Sequence, residues 1–258
     1  MNPRAATALS SIATLFAVAC AAYLLADFAH EGLGHGGACL VLGGKSLLLT
    51  TTTQHCSTQS RLIDGAGPVS GIAIALLAWL WLRFTPPRSP PLRVLLCLTF
   101  AYAAFWNFGY LIKSGLLDQG DWAFVIAGLE PAAAWHAGLV VMGVVLYALA
   151  MRMLSTVVRA KLTSPSGLRP FAFALITYLT AGALSALGAL FDPRGLSTIL
   201  TDALPSSLGS IGLVWVGWVM QSRNPELRIA IPSSPAFMAV GLAAAMIFVA
   251  VLGPGLRF

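Results

Sequence analysis

Residues 8–35 read ALSSIATLFAVACAAYLLADFAHEGLGH. From residue 5 to residue 29 the only charge is Asp27. At about 1.5 Å of rise per residue, such a run crosses a hydrocarbon core of about 30 Å. It ends in His30-Glu31-Gly32-Leu33-Gly34-His35 rather than in an ordinary polar loop. Ionisable groups at membrane depth are costly, and where they persist they mark function.

The whole chain shares this apolar character. Of its 258 residues, 58% are hydrophobic and 9% charged, against about 25% charged in soluble domains. Long apolar runs without period-two alternation predict an all-α polytopic membrane protein and exclude a transmembrane barrel. Seven spans are expected, near 8–29, 64–84, 92–112, 132–154, 170–190, 204–221 and 235–254. The first is expected to run on as one helix to about Val41. Residues 1–26 have the look of a signal peptide, and Ala17-Val18-Ala19-Cys20 weakly resembles a lipoprotein cleavage site. The apolar run nevertheless continues past Cys20, so an uncleaved first span is expected. No domain linker or repeat interrupts the sequence, which predicts a single integral membrane domain over 1–258.

The net charge of +6 does not point to nucleic acid, because the cations sit in short loops, where they set topology. Ten of them, from Arg4 to Arg228, fall at the N-terminus or after even-numbered spans. Five (Lys45, Arg61, Lys113, Arg194 and Arg257) fall on the other side. That bias predicts a cytoplasmic N-terminus, with the His-Glu motif towards the outer face. Cys39 and Cys56 flank a polar segment and can pair in an oxidising compartment. Cys20 and Cys97 lie in apolar runs as small core residues.

Between the first two spans, Gly43-Gly44-Lys45 leads into a segment with four consecutive threonines, Thr50 to Thr53. β-Branched residues favour extended structure, so a short hairpin or re-entrant strand at the membrane edge is expected. The connector 85–92, with Pro86, Pro87, Pro90 and Pro91, is expected to be stiff.

Hydrolysis at zinc needs three protein ligands, an open position for water, and a general base. His30 and His35 offer two ligands and Glu31 the base. A third ligand must come from elsewhere, and the loop Leu116-Leu117-Asp118-Gln119-Gly120-Asp121-Trp122 supplies candidates. The spacing is HExxxH, one residue longer than HExxH. On a regular α-helix, positions i and i+5 lie roughly 140° apart. Either a π-bulge, eased by Gly32 and Gly34, brings the two imidazoles together, or Glu31 and His35 form the ligating pair. Asp27 is a candidate for orienting His30. Asp64 is expected to cap the second span. Gly67 and Gly71 are expected to serve close helix packing. His136, beside Glu130-Pro131, is expected to be interfacial, and His55 to be a solvated loop residue.

After the His-Glu motif come Gly36-Gly37-Ala38-Cys39, Gly43-Gly44-Lys45 and Gly65-Ala66-Gly67-Pro68. In order and spacing these resemble the site-2 protease family of intramembrane zinc metalloproteases, especially its small bacterial members. The likeness covers roughly residues 8–125 and leaves 126–258 as additional helices. It implies Zn²⁺ held by His30, His35 and Asp121, with Asp118 as the alternative. Glu31 is the implied base and Asn107 the implied substrate-binding residue. The implied substrate is a membrane-embedded protein or peptide, and the implied setting is a bacterial plasma membrane. Two departures stand out: the HExxxH spacing, and the absence of the prolines usual between the Asn and the Asp. Two competing expectations come from other classes. One is a non-catalytic relative that binds a partner or transports a solute. The other is a metal hydrolase acting on a lipid or small amide.

Overall fold

The computed structural model describes residues 3–84, 90–231 and 233–258. Among the described residues, seven helices are long and apolar enough to cross a membrane: Leu9–Val41, Arg61–Phe84, Pro90–Leu117, Ala132–Lys161, Pro170–Ala189, Ile199–Arg223 and Pro235–Leu252. That is the make-up of an integral, multi-pass membrane protein. Residues 85–89 of the expected proline-rich connector lie outside the described residues. Pro90 and Pro91 open the third span, where a missing N–H costs nothing.

The third span is the central pillar. Every side chain from Leu96 to Phe108 is buried. It packs against the first, second and fourth spans. By contrast, the fourth span leaves Val141, Val144, Val145 and Leu149 exposed, as a lipid-facing helix does. The sixth span is broken. Ile199–Ala203 is a π-helical turn, Leu204–Leu208 a short α-helix, and Ile211–Arg223 the main rod. Pro205 and the glycines around 209 make that break inexpensive.

Among the described residues, two small sheets form in the connections. At one end, β1 (Ser46–Leu49) and β2 (Gln54–Cys56) make an antiparallel hairpin. A short strand β5 (Leu256–Arg257) pairs with the other edge of β1, giving the order β2-β1-β5. Elsewhere β3 (Thr163–Ser164), after the fourth span, pairs with β4 (Arg228–Ile229), after the sixth. Of the two forms expected for this segment, a hairpin is present, with its threonines in the turn and a third strand that the sequence did not signal. A disulfide joins Cys39, at the foot of the first span, to Cys56 of β2.

Candidate metal centre

The first span is not α-helical throughout. Ala29–Gly36 is a π-helix, closed by Gly37 N–H bonding to the Gly32 carbonyl five residues back. In that geometry residues i and i+5 stack on one face. His30 and His35 therefore point the same way, with Nε2 atoms 3.3 Å apart. Of the two arrangements open from the sequence, the chain adopts the bulge.

A third donor arrives from the short helix Asp121–Ile126, which follows the third span. Asp121 Oδ2 lies 3.0 Å from His30 Nε2 and 3.4 Å from His35 Nε2. Tyr110 fixes this helix by accepting the Asp121 N–H at 3.2 Å. Gly120, at φ +86°, turns the chain into it where a Cβ would strike the Tyr110 ring.

Both imidazoles are held from behind. His35 Nδ1–H donates to the Ile63 carbonyl at 2.8 Å. His30 Nδ1–H donates to Asn107 Oδ1 at 3.3 Å, and Asn107 Nδ2 donates to the Ala103 carbonyl at 2.7 Å. With the protons on Nδ1, each Nε2 presents a lone pair to the centre. Trp106 stacks on the His30 ring at 4.6 Å. Two glycines of the second span make room for these rings. A Cβ on Gly67 would fall on the His35 imidazole, and one on Gly71 on the Asn107 amide. The GxxxG pair thus admits site side chains as well as packing helices.

His30, His35 and Asp121 form a group that can hold a metal ion. For bonds of about 2.0–2.1 Å at tetrahedral angles, ligand atoms sit about 3.3 Å apart. The observed separations of 3.0, 3.3 and 3.4 Å match that edge length. Three lone-pair atoms this close repel one another unless a positive charge lies between them. Burial pushes the Asp121 carboxyl up, but the neighbouring His30 and His35 imidazoles outweigh it and hold it below the usual carboxylate range.

The trio and Glu31 open on a cavity of about 490 Å³. Glu31 is buried, and among the described residues its carboxylate makes no hydrogen bond or ion pair with another side chain. One wall of the cavity is the β2 side of the hairpin, including His55. A second is Trp106, Tyr110 and Lys113 of the third span. A third is Asp202, Pro205, Ser206 and Gly209 of the broken sixth span.

Several residues take places other than those expected. Asn107 is fully buried behind His30 and does not line the cavity. It holds the place behind His30 that Asp27 was expected to fill. Asp27 is itself buried, with Oδ2 unpartnered among the described residues. Asp118 has φ +52° and an exposed side chain 3.7 Å from His136 Nε2, away from the trio. Asp64 is not the cap of the second span. Ser60 is, accepting the Leu62 N–H at 3.2 Å, while Asp64 joins the cavity wall.

The contribution of the C-terminal half had no sequence motif. Asp192, after the fifth span, is buried and accepts from Thr50 Oγ1 at 3.3 Å and Thr52 Oγ1 at 2.7 Å. Arg194 bridges Asp192, Asp202 and Thr52. Burial pushes the Asp192 carboxyl up, yet Arg194 and Thr52 outweigh it and hold it below its ordinary range. The Arg194 guanidinium is held above its own by the two carboxylates, against the opposing effect of burial. The one hint of this was opposite charges at the facing ends of two apolar runs.

Compared with models of known families, with curated proteins and with solved structures, the chain matches none.

Proposed function

We propose that this protein is an intramembrane zinc metalloprotease-like hydrolase, set in a bacterial plasma membrane, that cleaves membrane-embedded peptide substrates. The observation that carries this reading is the spacing of His30 Nε2, His35 Nε2 and Asp121 Oδ2 at 3.0–3.4 Å, beside an unpaired carboxylate on one cavity. Mixed nitrogen and oxygen donors suit zinc. When bound, such an ion supplies Lewis-acid polarisation of a carbonyl and makes water a stronger acid.

The chain's own residues do the rest. His30, His35 and Asp121 would hold the ion, and all three line the cavity. Glu31, in the same wall and free of competing partners, takes the proton of the attacking water and later delivers it to the departing amine. Asn107 and the Ile63 carbonyl keep both imidazoles in the tautomer that binds metal. Among the described residues, the β2 edge has no strand beyond it. At the membrane edge it offers backbone donors and acceptors to an unwound substrate segment by strand addition. The π-turn bears on the non-catalytic alternative, because the extra residue that favoured it no longer separates the two histidines.

Metal content, measured by mass spectrometry on purified protein, tests the reading. The wild type and Glu31→Gln should carry stoichiometric zinc, and His35→Ala should not. Glu31→Gln should also abolish cleavage of reporter transmembrane peptides by the wild type. Wild-type protein purified without chelators yet free of metal would sink the proposal.

A further inference from the structure

Asp192 is a fully buried carboxylate that serves the hairpin. Besides the two threonine hydroxyls, it accepts the Arg194 backbone N–H at 2.9 Å and the Arg194 Nε–H at 3.1 Å. The hydroxyls belong to the turn between β1 and β2, and β2 is one wall of the cavity. Arg194 Nη2 then reaches Asp202 Oδ2 at 3.1 Å, and Asp202 belongs to the sixth-span wall. One guanidinium thus ties two cavity walls that belong to opposite halves of the chain. The two ends of the tie differ. The Asp192 side chain is wholly buried, whereas those of Arg194 and Asp202 are about one-third exposed, at 32% and 33%. Hydrogen bonds between charged groups are the stronger kind, and burial strengthens them further. The hairpin end is therefore the fixed end, and the Asp202 end the one that yields first.

We propose, resting on the hydrolase reading, that Arg194 is a positioning residue for the substrate. It sets the gap between the β2 wall and the sixth span, and so determines which extended chain can lie between them and reach Glu31. Asp192 holds the turn in place, and Asp202 fixes the width. A planar fork with several donors can tie three partners at once, and a lysine ammonium matches this poorly.

Hydrogen exchange on the full-length protein in detergent, together with the rate at which 1,10-phenanthroline withdraws bound zinc, tests this. In Arg194→Ala, amides of residues 50–56 should exchange roughly tenfold faster or more, the scale of a lost charged hydrogen bond. Zinc should leave faster from an unchanged starting stoichiometry. Arg194→Lys should recover only part of both effects. Asp202→Asn should speed zinc withdrawal while leaving exchange at 50–56 as in the wild type, a split that a merely structural ion pair would not give. Unchanged exchange at 50–56 in Arg194→Ala would overturn the proposal. So would acceleration spread evenly over the whole chain, or an Asp202→Asn protein identical to wild type in zinc withdrawal. If the wild type held no zinc, the hydrolase reading would fail, and the hairpin exchange would still report on the tie by itself.

Discussion

Gly67 lies on the second span with its bare Cα against the imidazole of His35, which leaves no room for a methyl group. Gly67→Ala should displace that ring from the trio. The expected cost is a 10–100-fold weaker hold on zinc, the scale for disturbing groups that orient a ligand, measured by competition with a chromophoric chelator. Gly37→Ala is the control: a Cβ there meets nothing within 4 Å, so affinity should not change. The same scale explains what could be read from the sequence. His30, Glu31 and His35 stood out because charged and imidazole groups are rare in an apolar run. Asp121 was legible as one of two loop candidates beside Asp118, and only the family resemblance favours it. Asn107 was visible as a residue but not in its direction, because the side on which a buried amide finds its acceptor depends on neighbours from other helices. The carbonyl of Ile63 gives no sequence signal at all.

The element that decides the site is the π-turn from Ala29 to Gly36. An α-helix with an added residue either rotates everything beyond it by about 100° or absorbs the excess in one wider turn. The second outcome keeps the residues from Gly37 to Val41 helical and Cys39 opposite Cys56. Removing Leu33, an exposed residue of the wide turn, should therefore restore a plain α-helix with both ends in register. The shortened protein is expected to retain stoichiometric zinc and the Cys39–Cys56 bond, read by metal analysis and by non-reducing mass mapping. Loss of both would show that the wide turn is indispensable. Sequence periodicity framed this question but could not answer it. The choice between bulge and rotation rests on contacts made by the downstream residues. The hairpin was legible because β-branched residues disfavour helix, whereas its partner β5 is two residues long, too short for any pattern.

Seven spans place the connections after spans one, three and five, and the segment after span seven, at one end of the bundle. The β1–β5 pairing requires that arrangement, and the β3–β4 pairing brings the connections after spans four and six together at the other end. Single cysteines at Gln59 and Ser166, both exposed, should therefore react with an impermeant maleimide from opposite faces of sealed vesicles, Gln59→Cys from the oxidising face. Labelling of both from one face would break the topology. Span number was readable because hydropathy is a local property. That the sixth span closes the cavity, tied to the hairpin through Asp192 and Arg194, was not, because a contact between Asp192 and Thr52 leaves no trace in either segment alone. The pairing of β1 with β5 also sets a clock. Some two hundred residues separate Leu48 from Arg257, and at 5–20 residues per second a ribosome needs about 10–40 s to cover them. Throughout that interval the outer edge of β1 is an open strand, the kind that invites the wrong neighbour. The Cys39–Cys56 bond, whose partners emerge within 17 residues of each other, can close at the start of the wait and hold the hairpin in register until its last strand is made.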